Sequence, residues 1–166
     1  MDLNDARASA IDRKWLRNVY PFYLHDLSEF DDHYYTLNER GLWEPDYLPS
    51  WLEDGTDHPL IISESGCRIG FALVNEAPSQ YMMPGIRFRL SEFFVLRKYR
   101  RCGFGRRAAL TLLDQFRGRW QLSVLPRNEP AICFWRTIIT EYPGGICQEA
   151  TNSSDVLYVF DTDQDR

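Results

Sequence analysis

No stretch of this 166-residue sequence approaches the roughly 18 uninterrupted apolar residues of a membrane-spanning helix, and the first thirty residues mix acids, bases and aromatics without an apolar leader segment. No membrane partner is expected, and the chain reads as cytoplasmic. Cysteine is sparse: Cys67, Cys102, Cys133 and Cys147 lie 35, 31 and 14 residues apart, with no CxxC pair. The three histidines, His25, His33 and His58, show no metal-ligand spacing and have no GxSxG nucleophile to serve. Neither a metal site nor a disulfide framework is expected; the thiols are expected to be reduced and mostly buried, and the histidines satisfied or at the surface. There is no internal repeat and no interdomain linker, and the length suits one domain. Disorder is excluded by 44% hydrophobic, 26% charged and 14% aromatic residues.

The net charge of -5 conceals a division along the chain. Residues 1–65 carry five Lys/Arg against fourteen Asp/Glu, whereas residues 87–119 carry ten against two. The second segment calls for an anion beside it.

Apolar residues at helical spacing, Ile11, Trp15, Leu16 and Val19, predict a helix over 8–20 that Pro21 stops, followed by a second helical stretch over 22–30. An irregular run with Trp43 and Trp51, both assigned to packing, leads to a short helix. Residues 60–63 and 68–74 bracket a turn and read as a hairpin. Ile86, Phe88 and Leu90 alternate with polar neighbours, but 93–96 is apolar on both faces, which predicts a β-bulge at 91–93. Ala108, Ala109, Leu112, Leu113 and Phe116 mark a helix between Gly105 and Gly118. A strand over 120–125 follows, then a helix capped by Asn128 and ended by residues 143–145, then strands over 146–150 and 156–160 and a polar tail over 161–166.

The chemistry concentrates in the loop Arg97-Lys-Tyr-Arg-Arg-Cys-Gly-Phe-Gly105 between strand and helix. Gly103 and Gly105 permit close backbone approach, and the following helix aims unpaired N–H groups and its positive dipole end at one spot, a geometry that binds phosphate. Arg97, Arg100, Arg101, Arg106 and Arg107 favour a diphosphate over a lone carboxylate. A P-loop would require Gly-Lys-Ser/Thr, where this chain has Gly105-Arg-Arg107. A dinucleotide fingerprint lacks both the adjacent strand end and the acid on the next strand. A nucleic-acid surface conflicts with the acid-rich first 65 residues, so no nucleic-acid partner is expected. A solvated helix start with two turn glycines is the remaining alternative.

Arg100-Arg-Cys-Gly103-Phe-Gly105 resembles the Arg/Gln-x-x-Gly-x-Gly/Ala signature of the GCN5-related N-acetyltransferases. Asn128, Ala131 and the aromatic pair Phe134-Trp135 resemble that family's second motif. The likeness extends in element order from about residue 60 to 160, and the block Glu92-Phe-Phe-Val-Leu-Arg-Lys-Tyr-Arg-Arg101 resembles uncharacterised predicted acetyltransferases of the family. It implies an α/β fold with a mixed, mostly antiparallel sheet flanked by helices and splayed between the family's fourth and fifth strands, here 88–96 and 120–125. As a single domain, the chain would comprise a helical acceptor-side region over 1–57, a sheet and cofactor core over 58–160, and the tail.

By the resemblance, acetyl-CoA is the cosubstrate. Its pyrophosphate would lie on the N–H groups of Arg101, Cys102, Gly103, Phe104, Gly105 and Arg106, its pantetheine arm would pair with Phe94, Val95 and Leu96, and Asn128 would hold the arm from the other side. Trp135, also on the cofactor side, replaces the family's usual tyrosine acid, and indole cannot protonate a leaving thiolate; Tyr142 and Tyr158 are candidate substitutes. Glu92, at the strand kink, is the candidate general base, with an ion pair to Arg87 or Arg89 as the structural alternative. Tyr23, Asp26 and Phe30 would wall the acceptor site. The acceptor would be a small amine, with the acid-rich first 65 residues favouring a cationic one. The family's first strand is expected to be missing or very short, and the protein to be a monomer or homodimer. A CoA-binding regulatory module without catalysis is the alternative function.

Overall fold

The computed structural model describes residues 1–53, 55–142 and 148–163. A seven-stranded sheet runs in the order β1-β4-β5-β6-β7-β9-β8. Its strands are β1 (Asp2–Asp5), β4 (His58–Glu64), β5 (Cys67–Glu76), β6 (Phe88–Val95), β7 (Arg119–Val124), β8 (Gln148–Thr151) and β9 (Val156–Asp161). β2 (Thr36–Leu37) and β3 (Trp43–Glu44) form a separate small hairpin. Every pairing is antiparallel except that of β6 with β7.

Helices cover both faces. α1 (Ala10–Leu27) and α2 (Leu48–Trp51) pack Leu16, Tyr20, Leu24 and Leu48 against Ile61, Phe71, Leu73 and Phe94. Trp43 and Trp51 pack against the same cluster. On the other face, α3 (Phe104–Gln115) and α4 (Glu129–Glu141) bury Ala109, Leu112, Leu113, Trp135 and Ile138 against Ala72, Leu90, Trp120 and Leu122.

The first strand, expected to be missing or very short, is very short: β1 pairs with β4 through Asp2, Leu3, Asn4 and Asp5. Four residues are too few for a periodic signal, and pairing along β4 supplies the order that local pattern cannot. Pro21 does not end the first helix, so one helix replaces the two expected. Leu16, Val19, Tyr20, Leu24 and Leu27 form one buried stripe across it, while Pro21 and Arg17 are exposed, so the Arg17 carbonyl that loses its donor faces water. Cys67, Cys102 and Cys133 are exposed rather than buried, lying at a hairpin end, in a loop and on the outer face of α4; Cys147 lies outside the described residues. The expected tail begins too early, since Asp161 belongs to β9 and Thr162 is fully buried, exchanging hydrogen bonds with Gly118. The expected end of α4 at residues 143–145, the start of the next strand at 146 and residues 164–166 of the tail lie outside the described residues.

Candidate functional site

The sheet opens where the site forms. β6 pairs with β7 only through Phe88↔Trp120, Arg89↔Gln121 and Leu90↔Leu122, after which the strands part. On its other edge β6 carries the expected bulge. Leu90 pairs with Val74 and Glu92 with Leu73, so Ser91 is an extra residue with no opposite number. Strict alternation would place Arg89 and Glu92 on opposite faces. The inserted residue shifts the phase, so Glu92, facing Leu73, shares the α1 side with Arg89, which faces Asn75.

A cavity of about 540 Å³ fills the opening. Its walls include Tyr20 and Tyr23 of α1, Tyr34, Tyr35 and Tyr47 of the following loops, Arg89, Ser91 and Glu92 of β6, and Asn128, Ala131 and Trp135 around α4. Glu92 accepts a hydrogen bond from the Tyr23 hydroxyl. Burial pushes the Glu92 pKa up to about 7, against the opposing pull of the Tyr23 hydrogen bond and the Arg89 charge. Burial and the neighbouring Glu92 charge push the phenols of Tyr20, Tyr23 and Tyr35 upward, holding them protonated. Glu92 makes no ion pair with Arg87 or Arg89 within 4.0 Å.

Of the residues expected to wall the acceptor site, Tyr23 lines the cavity, while Asp26 and Phe30 do not. Asp26 binds Arg97 and Arg100, at 2.6 Å each. Trp135 stands edge-on to Phe93 at 5.1 Å between ring centres and presents no acidic hydroxyl. Tyr142 donates to Asp114 at 2.9 Å, and neither it nor Tyr158 lines the cavity. The tyrosines of residues 34–47, together with Asn75 and Asp57, were not singled out from the sequence, and Arg89 was named only as a possible ion-pair partner of Glu92. Their only sequence signal is the unusual density of tyrosine before β4, which does not say which rings converge.

Beyond the cavity, the chain leaves β6 through a 3-10 turn, Arg97–Tyr99, and enters α3 at Gly103. Gly103 has φ +79° and Arg101 φ +60°. Gly103 is the N-cap of α3, so the first N–H groups of the helix, those of Phe104, Gly105 and Arg106, have no carbonyl in the helix to accept them. Arg97 and Arg100 bind Asp26, Arg106 binds Glu141 and Arg107 binds Glu64, whereas Arg101 has no ion-pair partner among the described residues. Phe94 and Val95 are buried on β6 and Leu96 follows, with the β6 edge facing the gap unpaired by β7 from Ser91 onward. The Val95 carbonyl already accepts from Arg100 Nε at 2.6 Å. Asn128 caps α4, its Oδ1 accepting from Ala131 N at 3.1 Å. From Ser91 onward the open β6 edge thus runs from the half-buried carboxylate of Glu92 toward the turn that starts α3.

Residues 19–138 match the acetyltransferase (GNAT) family. No curated protein matches the chain. Among solved structures, an acetyltransferase from Thermus thermophilus is similar with a TM-score of 0.62 at 16% identity, covering 96% of each chain. Tetrahymena GCN5 gives 0.61 at 11% identity over 99% of this chain and 98% of its own. The aminoglycoside acetyltransferase AAC(6')-Ib, solved with coenzyme A, gives 0.62 at 18% identity over 91% of each. These likenesses are of fold.

Proposed function

This chain belongs to the acetyltransferase (GNAT) family, and from that premise we propose that it is an N-acetyltransferase that uses acetyl-CoA to acetylate a small primary amine, with Glu92 as general base. Bound acetyl-CoA supplies an activated acyl thioester and a leaving thiol whose pKa of about 8.5 lets it depart without full protonation. The cradle fits it. The first N–H groups of α3 and Arg101, which has no ion-pair partner among the described residues, suit the diphosphate, and the open β6 edge past Leu90 suits an extended arm carrying amide groups.

The observation that carries this reading is Glu92, turned by the Ser91 bulge into the cavity at the mouth of the split. An amine arrives as an ammonium with a pKa of about 10.4 and must lose a proton before its lone pair can attack. A carboxylate with a pKa of about 7 takes that proton better than an ordinary one, yet remains largely ionised at slightly alkaline pH. Tyr23 orients the carboxylate through its hydrogen bond.

Trp135 favours a second reading, a CoA-binding regulatory module, because the indole takes the place of the expected acid. A thiol-release assay across polyamines, amino acids, aminoglycosides and peptide N-termini decides between them. Release with any amine, abolished in Glu92→Gln, is expected. Tight CoA binding without release for every amine would favour the module.

A further inference from the structure

One charged group of the cavity has no binding task in this mechanism beyond its pull on the Glu92 pKa. Arg89 lines the cavity on the same face of β6 as Glu92. Its Nη1 donates to Ser91 Oγ at 3.1 Å, and Ser91 Oγ donates to Asn75 Oδ1 at 2.6 Å. Asn75 Nδ2 donates in turn to Asp57 Oδ2 at 2.9 Å, and the Glu76 N–H donates to Asp57 Oδ1 at 3.0 Å. Asp57, the acid at the end of this chain of bonds, is thus taken up by neutral donors. Among the described residues no carboxylate lies within 4.0 Å of Arg89, and its Nε is buried without an acceptor. By contrast, Arg7, Arg68, Arg97, Arg100, Arg106 and Arg107 each hold a carboxylate.

A buried guanidinium N–H without an acceptor costs free energy until one is supplied. The fork of an arginine fits a carboxylate, and a single arginine balances one negative charge. The acid-rich first segment does not counter this at the cavity. Asp57, which does line the cavity, is taken up by Asn75 and the Glu76 N–H, while Asp12, Asp26, Asp32 and Glu64 are paired with arginines and do not line it.

Building on the N-acetyltransferase reading, we propose that Arg89 binds a carboxylate of the acceptor, so that the substrate class is an amino acid: ammonium toward Glu92, carboxylate on Arg89, side chain among the rings of Tyr20, Tyr35 and Tyr47. The acceptor is then zwitterionic rather than simply cationic. The same strand presents both recognition groups only because Ser91 shifts the phase between them.

The test compares glycine, leucine, methionine, phenylalanine and tyrosine with their amides and decarboxylated amines. Both thiol release and calorimetric binding to the CoA-saturated protein are read. At least one free acid should exceed its amide and its amine by about tenfold or more in kcat/KM and in affinity, as for a site built around a polar group of its ligand. In Arg89→Gln the advantage of acid over amide should vanish, any loss from the higher Glu92 pKa that follows removal of the Arg89 charge being common to both; Arg89→Lys, which keeps the charge, should restore part of the advantage. A melting temperature and CoA affinity equal to wild type show that Arg89→Gln is folded; if either drops, the Arg89→Lys comparison decides. Free acids no better than their amides, or equal losses for acid and amide in the folded variant, overturn the proposal. If no amine is acetylated but the free acid still binds tenfold better than its amide in an Arg89-dependent way, the transfer reading fails and the carboxylate site stands.

Discussion

The Tyr23 hydroxyl donates a hydrogen bond to Glu92 across 69 residues of sequence, joining the C-terminal half of α1 to the kink of β6. That bond stabilises the ionised carboxylate and opposes the upward push of burial. Tyr23→Phe removes it, so the Glu92 pKa should rise above about 7. The acid limb of the kcat/KM profile should move to higher pH, with a loss of about three- to tenfold near pH 7 that closes in alkaline buffer. A limb that stays in place would show that the hydroxyl does not tune the base.

Glu92→Gln separates catalysis from stability. The raised pKa means that the folded chain holds the Glu92 proton more tightly than the unfolded chain, whose value is near 4.5. Its stabilising contribution is therefore complete below about pH 4.5 and lost as pH rises through about 7. Glutamine mimics the protonated side chain. At pH 8 the variant should be more stable by on the order of 1–2 kcal/mol, about 3–6 °C in melting temperature, with no gain at pH 4. Its kcat should fall by about 10²–10⁴. Thermal melts at the two pH values and thiol-release rates check both halves.

Gly103→Glu tests the anion cradle. At φ +79° a side chain strains the backbone, although a Cβ there would meet nothing within 4 Å. The added carboxylate brings negative charge to the proposed diphosphate site. CoA affinity should fall by about tenfold or more, and wild-type affinity should weaken as salt rises past about 0.15 M. Calorimetry reads both; unchanged affinity in the variant would place the diphosphate elsewhere.

Gly70→Ala probes the support of the site. A Cβ at Gly70 would lie 2.1 Å from the Phe94 carbonyl oxygen, against backbone that cannot swing aside. β5 and β6 must separate there, next to Val95 and two residues beyond Glu92. A loss of about 2–4 kcal/mol in denaturant unfolding is expected, and Gly66→Ala, with no atom within 4 Å, serves as the comparison for backbone strain at φ +76°.

Local sequence determined what local physics can determine. The helix stripes of α3 and α4, the Asn128 cap, the β4–β5 hairpin, the bulge near Glu92 and the glycine-rich turn into α3 are each written in short-range spacing, because periodicity, caps and backbone freedom act within a few residues. Tertiary structure decided the rest. The four residues of β1 gain strand order only from pairing with β4, and α1 continues through Pro21 because its buried stripe has a sheet to cover. The same packing committed Asp26 to two arginines, gathered loop tyrosines around Glu92 and left Arg89 without a carboxylate among the described residues. Which charges pair and which remain in a cavity depends on distances between residues far apart in the chain, and hydrophobic burial sets those distances only once the sheet and its helices close.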